Sequence, residues 1–133
     1  MEKVHTLTGI DTVFELLAAT SPDIKSGWEK HLTNYYKDNP ERLLYFDMME
    51  ISAIVIRLFQ HNKTKDLTLF FEAVEDVLKD CDTTVENLML AGLIEGIQQI
   101  CPYQDIDMRT AFDSWLQPLT KKNWDELTGF YKF

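Results

Sequence analysis

Apolar residues recur along most of the chain at the three- and four-residue spacing that is typical of amphipathic helices. The pattern is clearest over residues 66–80, where one helical face is apolar and the other is polar. The apolar face of this segment consists of Leu67, Phe70, Phe71, Val74, Val77 and Leu78. No segment shows the sustained apolar–polar alternation that indicates a half-buried strand. The sequence therefore predicts an all-α fold.

Proline and capping residues divide this pattern into separate helices. Ser21-Pro22 predicts a helix start, because serine caps helices and proline is favoured in the first turn. Asn39-Pro40 repeats the signal, and Thr83 with Glu86 has the spacing of a capping box. The predicted helices cover residues 10–19, 22–37, 41–61, 66–80, 85–100, 105–116 and 120–131.

The helices are expected to form one domain. No Pro-, Gly- or Ser-rich linker divides the 133 residues, and a chain of this length can bury about two thirds of its unfolded surface. We predict a single-domain helical bundle of six to seven helices over residues 1–133. Because residues 41–61 are apolar on nearly all sides, this segment is predicted to be the central, buried helix.

Gly92 and Gly96 lie four residues apart in the helix predicted over residues 85–100. Two glycines on one side of a helix let another backbone approach closely, at a cost of about 1 kcal/mol each in helix propensity. The pattern is interpreted first as a packing signal, and a homodimer through this face is the alternative. Glu95, which stands between the glycines, needs a partner such as Arg57 or a hydroxyl group if it is buried.

Asp47 and Glu50 raise the same question in the central segment, because they interrupt an otherwise apolar helix. An unpaired buried carboxylate is expensive, so each is expected to find a cation if the helix is buried. Arg42 and Arg57 are the nearby cations in the sequence.

The composition of the chain limits where in the cell the protein is expected and which classes of partner it can bind. The first nine residues lack the apolar core of a signal peptide. In residues 43–59 the longest apolar runs have four residues, far short of the ~20 that span a bilayer. A pI near 4.7 argues against binding to nucleic acid or to an anionic membrane. We therefore expect a cytoplasmic protein without a nucleic-acid or membrane partner, and its oligomeric state stays open.

The two cysteines, Cys81 and Cys101, are predicted to be reduced. If residues 83–100 form one helix, the cysteines lie at its opposite ends, roughly 27 Å apart at a rise of ~1.5 Å per residue. That distance excludes a disulfide within the chain. An intermolecular link is the alternative.

No motif for catalysis or metal binding accompanies the helical pattern. A di-metal site in a helical bundle needs Glu-x-x-His on two helices, and Glu2-x-x-His5 is the only such spacing. Residues 76–86 contain no glycine, which excludes a calcium-binding EF-hand loop. His31 falls on an apolar stripe and is interpreted as a packed histidine. We predict no catalytic residue, no metal and no cofactor, and an enzyme that uses scattered acids is the least favoured alternative.

The negative charge is concentrated in one third of the chain. Residues 66–107 contain ten acidic residues and one basic residue, Lys79, a balance of −9 that equals the net charge of the whole chain. A local field of this kind acts on binding partners more than on folding. Helix capping accounts for part of the charge near residue 81. The predicted partner-binding residues are Glu72, Glu75, Asp76, Asp80, Asp82, Asp105 and Asp107.

Four blocks of the sequence resemble a family of small, uncharacterised bacterial helical proteins. The blocks, which lie after Pro40, are Leu43-Leu-Tyr-Phe-Asp-Met-Met-Glu50, Phe70-Phe-Glu-Ala-Val-Glu-Asp-Val-Leu78, Asn87-Leu-Met-Leu-Ala-Gly-Leu-Ile-Glu95 and Leu119-Thr-Lys-Lys-Asn-Trp124. In size, acidity and helical content the chain is also similar to immunity proteins of bacterial toxin systems, including contact-dependent growth inhibition. That similarity implies a protein that binds one cognate toxin, often a basic nuclease, and blocks its active site. A helical adaptor or regulatory module is the alternative.

Overall fold

The computed structural model of the protein describes residues 7–129. These residues form six helices and no strand, which confirms the predicted all-α bundle. The helices are α1 (Leu7–Ala18), α2 (Pro22–Tyr35), α3 (Leu44–Gln60), α4 (Thr64–Lys79), α5 (residues 83–100) and α6 (Pro118–Thr128). The Glu2-x-x-His5 spacing and the end of the helix predicted over residues 120–131 lie outside the described residues.

The predicted start of α2 is confirmed in detail. The side chain of Ser21 accepts hydrogen bonds from the backbone N–H groups of Asp23 (3.1 Å) and Ile24 (3.4 Å), and Pro22 is the first helical residue. Serine thus satisfies two of the backbone donors that a helix leaves free at its N-terminus.

Helix α3 begins later than predicted, at Leu44 rather than at residue 41. The backbone N–H of Leu43 donates to the hydroxyl of Tyr36 (2.9 Å), so this N–H bonds to a side chain across the α2–α3 connection. No side chain caps α3. The connection is therefore shaped by a tertiary contact, which the Asn39-Pro40 signal does not reveal.

Helix α5 changes its winding along its length. It consists of α-helical turns at Thr83–Asn87, a π-helical segment at Leu88–Ile94 and α-helical turns at Glu95–Ile100, and a 3₁₀ turn follows at Cys101–Gln104. The N-cap is Asp82, whose carboxylate accepts from the backbone N–H of Val85 (2.9 Å). The predicted capping box with Thr83 at the cap position is therefore wrong, because Thr83 is already helical.

The prediction of a helix over residues 105–116 is wrong, because these residues form turns and irregular backbone. Asp105 has a left-handed backbone (φ 57°), and the N–H of Ile106 donates to the carbonyl oxygen of Cys101 (3.0 Å), which ends the preceding 3₁₀ turn. Met108 and Phe112 are nevertheless buried. Their four-residue spacing is the same as that of neighbours on a helical face, but the backbone that places both side chains in the core is a series of turns.

Helices α3 and α5 run parallel and pack closely at two glycines. A Cβ atom on Gly92 would lie 3.2 Å from the side chain of Met48, and one on Gly96 would lie 2.7 Å from Oγ of Ser52. The glycines therefore allow close approach of another helix, as the sequence predicts, and that helix belongs to the same chain. Because α3 covers this face, a homodimer cannot use the two glycines without opening the core.

The two cysteines form no disulfide with each other, as predicted. Cys81 is half-buried before α5 and Cys101 is buried after it. The continuous helix between them keeps the two thiols apart, so neither can reach the other without unfolding.

Candidate functional site

The predicted acidic residues on α4 differ in exposure. Glu72 and Asp76 are exposed and lie four residues apart, while Asp80 is half-buried at the C-terminal cap of the helix. None of the three takes part in an ion pair within residues 7–129. We call these three residues the acidic face of α4. They repel one another, so an opposing cation would relieve the strain.

Glu75, predicted to bind a partner, is instead buried and serves the fold. Its carboxylate accepts from the backbone N–H groups of Leu119 (3.0 Å) and Thr120 (2.8 Å) and from the Thr120 hydroxyl (2.7 Å). Burial alone would raise the pKa of Glu75, but these hydrogen bonds to the charged form outweigh it and lower the pKa. Its position could have been predicted, because it lies four residues after Phe71 and three before Leu78 on the apolar face.

The remaining predicted acids lie at the ends of α5 and beyond it. Asp82 is the N-cap of α5, so capping accounts for it. Asp107 binds its neighbour Arg109 through the side chain (3.1 Å to Nε) and the backbone N–H (3.0 Å), and these bonds lower the pKa of Asp107. Asp105 is exposed in a left-handed turn. Of the seven predicted residues, Glu72, Asp76 and Asp105 are therefore exposed without a structural partner among the described residues.

A strip of exposed apolar side chains on α3 is the feature that sequence reasoning missed. Tyr45 is 49% exposed, Phe46 42% and Met49 55%. Because they lie three and four residues apart, they are neighbours on one helix face. We call these three residues the α3 strip. The prediction that this helix is buried on all sides is wrong, since no described element covers this face.

Acidic residues outnumber basic residues in the part of the sequence that carries the α3 strip. Residues 37–50 contain four acids against two bases, and residues 83–100 of the parallel helix α5 contain two acids and no base. One of those bases, Arg42, is already paired with Asp11 (2.6 Å) and Asp47 (3.1 Å). The strip is therefore an apolar surface on a segment of net negative charge.

A buried carboxylate fixes the strip to α2. Asp47, which is fully buried, accepts from the hydroxyl of Tyr36 (2.6 Å) and from Nε of Arg42 (3.1 Å), and it lies 2.7 Å from Nε2 of His31. Of the two nearby cations in the sequence, Arg42 is thus the one that pairs with Asp47. Burial, and then the hydrogen bond to Asp47, raise the pKa of Tyr36.

A stack of rings continues from this network to the strip. His31 stacks on Trp28 (ring centroids 5.7 Å apart) and on Tyr35 (5.8 Å), and Tyr35 contacts Phe46 (4.6 Å). The side chain of His31 is only 6% exposed, which confirms the packed histidine. Aromatic contacts of this kind hold Phe46 in place before any partner arrives.

Glu95 does not use the predicted partner. It is half-buried and accepts a hydrogen bond from Nε2 of Gln99 (3.2 Å), one turn later on the same helix. Partial exposure explains why Glu95 needs no cation.

Metal sites and membrane spans are absent from the described part of the chain. Over residues 7–129 no three His, Cys, Asp or Glu side chains come together as metal ligands. None of the helices in this range combines the length and the apolar character that crossing a membrane requires.

Comparison with known proteins assigns a family. No curated protein and no solved structure matches the chain. A family model described as a domain of unknown function, DUF7674, matches residues 14–132. That description names no activity and no partner. Because the match spans nearly all of the chain, the protein belongs to the DUF7674 family.

Proposed function

We propose that this protein acts by binding a basic partner protein through the α3 strip. The observation that carries the proposal is the exposure of Tyr45, Phe46 and Met49 side by side on a helix whose opposite face is anchored in the core. Aromatic residues and methionine are enriched at protein interfaces, and charged residues are depleted from interface centres. The strip therefore has the composition of an interface core.

The net charge around the strip favours one kind of partner. A segment of net negative charge that carries exposed apolar side chains complements a protein that presents apolar side chains among lysines and arginines. The acidic face of α4 adds to the long-range field, which accelerates encounter with a basic partner and weakens as salt is added. Affinity comes mainly from burying the apolar centre, where one anchor residue can contribute about 2 kcal/mol or more.

The narrower form of the proposal is an immunity protein whose partner is a basic nuclease toxin. A nuclease needs a positive cleft to hold phosphates, and an acidic protein of this size complements such a cleft. Small size, acidity and helical structure support this form, while the α3 strip supports binding of any basic protein. A helical adaptor with a basic partner is the second candidate.

Site-specific photo-crosslinking tests the docking surface. The photoreactive amino acid replaces Met49 in one variant and Leu69 in the other, since Leu69 is similarly exposed (42%) but lies on α4. Both variants are expressed in the source cells, and any crosslinked protein is identified, purified and titrated against the unmodified chain. We expect a basic protein that crosslinks from position 49 and not from position 69.

Matched substitutions then test the energetics with the purified partner. Met49→Ala is expected to weaken binding about tenfold, whereas Leu69→Ala leaves it unchanged. Glu72→Lys and Asp76→Lys should slow association, most strongly at low salt. Equal crosslinking from both positions, an acidic partner, or crosslinks only to a second copy of this chain would overturn the proposal.

Co-expression tests the immunity form separately. If the neighbouring gene encodes a toxin, this protein should restore growth when both are expressed, and Met49→Ala should weaken the rescue. A non-toxic partner that binds the strip would reject the immunity form and retain the adaptor.

A further inference from the structure

A cleft of about 840 Å³ lies between α2 and α3. Its volume falls within the range of small-molecule sites, about 300–1,000 Å³. One face of each helix lines it, and at Gly27 the helices approach so closely that a Cβ atom would lie 2.6 Å from Cδ1 of Ile54. The missing side chain thus brings the two walls together and defines the base of the cleft.

The cleft carries positive charge in an otherwise acidic protein. Lys30, Arg57 and Lys63 line it together with Asp23 and Glu50, a balance of +1, whereas the whole chain has a net charge of −9. Within the cleft, this local balance favours an anion over a cation. The rest of the molecule is negative and opposes the approach of an anion.

Two of these cations are free to act on a ligand. Lys63 lies 4.0 Å from Asp23. Lys30, on the α2 wall, and Arg57, on the α3 wall, form no ion pair with any residue that the structure describes. Cations on opposite walls can contact one anion from two sides.

His31 adds a fixed polar group to the same cleft. Asp47 holds its Nε2 atom at 2.7 Å, and the ring is stacked between Trp28 and Tyr35. The other ring nitrogen, Nδ1, has no hydrogen-bond partner among the described residues. That atom donates to an anion when the ring is protonated and accepts from a ligand hydroxyl when it is neutral.

We propose that the cleft binds a small multivalent anion, of the class of phosphate, phosphate monoesters and tricarboxylates. Lys30 and Arg57 supply the charge from the two walls, and the ring of His31, which Asp47 holds through Nε2, lines the cleft with them. Glu50, half-buried on the α3 wall without an ion pair among described residues, opposes the anion and limits its affinity. The proposal does not rest on the protein partner, although the cleft adjoins the α3 strip, because Tyr35 lines the cleft and contacts Phe46 (4.6 Å).

Calorimetric titration of the full chain with inorganic phosphate, AMP and citrate tests the site. Arg57→Gln and Lys30→Gln should each weaken binding about tenfold, as loss of a charge-assisted contact does. Lys122→Gln, an exposed lysine on α6, is the matched control and should leave the affinity unchanged. The tightest of the three probes identifies the source of the anion.

A second pair of variants separates a local site from a general effect of charge. Glu50→Gln and Glu72→Gln each remove one negative charge, but only Glu50 lines the cleft. Glu50→Gln should tighten binding several-fold, and Glu72→Gln should not. The proposal would be overturned if these two variants had equal effects or if Arg57→Gln and Lys122→Gln had equal effects. It would also be overturned if no probe showed saturable binding up to about 10 mM. Thermal melts of all variants confirm that they remain folded.

Discussion

Glu75 of α4 holds Thr120 at the start of α6. The carboxylate of Glu75 accepts hydrogen bonds from the backbone N–H of Thr120 (2.8 Å) and from the hydroxyl of Thr120 (2.7 Å). No side chain at the N-cap position of α6 performs this role. The helix is therefore capped by a residue 45 positions earlier in the chain, which joins the two helices through a charged group.

Glu75→Gln should destabilise the protein by about 1–3 kcal/mol. Glutamine offers one acceptor oxygen where the carboxylate offers two, so at least one buried N–H or hydroxyl loses its partner. Urea unfolding measures the loss. Glu72→Gln, three residues earlier and exposed, should change stability by less than about 0.5 kcal/mol, and similar losses in both variants would contradict the capping role.

The same carboxylate predicts a dependence of stability on pH. The folded-state pKa of Glu75 is lowered, so its contribution is fully present above the unfolded-state pKa, ~4.3. It is lost as the pH falls through the lower folded-state value. Between about pH 5 and pH 3, the free energy of unfolding should therefore fall more steeply in the parent protein than in Glu75→Gln. Identical slopes would contradict this prediction.

Asp47→Asn should destabilise the protein by about 1–3 kcal/mol, because Tyr36 and Arg42 lose the charge of their buried acceptor while Arg42 keeps its ion pair with Asp11. It should also bring the raised pKa of Tyr36 towards its ordinary value, since that residue donates its hydroxyl to Asp47. Absorbance titration of tyrosinate, with Tyr36→Phe as the reference, measures this change. Because the pKa of Tyr36 is raised in the folded state, its contribution to the free energy of unfolding is fully present below the unfolded-state pKa, about 10. That contribution is lost as the pH rises through the folded-state pKa. An unchanged Tyr36 titration in Asp47→Asn would argue against the network.

Gly96→Ala should cost about 1–3 kcal/mol, because the new methyl group meets Oγ of Ser52 at 2.7 Å. Removing that oxygen with Ser52→Ala should recover part of the loss, so the double variant is more stable than the sum of the single effects predicts. Gly129→Ala, at the exposed end of α6, is the control and should be near neutral. If the losses of stability in the two single variants simply added in the double variant, the helices would be able to move apart, and the close contact would not matter.

Cys101 should be inert in the folded protein. Burial raises the pKa of its thiol to about 12, so thiolate, the reactive form, is nearly absent at neutral pH. Titration with a thiol reagent should modify Cys81 first and Cys101 only after unfolding. Cys101→Ser should leave the fast reaction unchanged, and equal rates for both thiols would contradict the buried position.

The helices with local signals could be predicted from the sequence. Ser21 places the start of α2, and the apolar residues from Leu67 to Leu78 identify the face of α4, since caps and periodicity act within one or two turns. Residues 105–116 could not be assigned this way. Met108 and Phe112 have helical spacing, but Trp124 donates its ring N–H to the carbonyl oxygen of Met108 (2.9 Å), a contact from a distant helix.

The candidate sites depended even more on tertiary structure. The exposed positions of Glu72 and Asp76 follow from the polar face of α4, whereas the role of Glu75 requires knowing that α6 begins beside it. Apolar residues on nearly all sides of α3 predict that the helix is buried, yet the exposure of Met49 depends on which neighbours surround the helix. The cleft could not be predicted from the sequence either. Lys30 and Arg57 line the same cleft only because α2 packs against α3.

The π-helical segment of α5 holds more residues per turn than the 3.6 of an α-helical turn. Deletion of one residue within Leu88–Ile94 should therefore convert the wide turn to α-helical winding and leave the orientation of the residues after it nearly unchanged. Gly96 should keep its contact with Ser52, and Gln98 should keep its hydrogen bond to the carbonyl oxygen of Trp124 (3.0 Å). Deletion of one residue within Glu95–Ile100, where the winding is α-helical, would instead rotate everything after it by about 100° around the helix axis. The wide turn is thus the place where α5 can lose one residue without changing which side chains it presents to its neighbours.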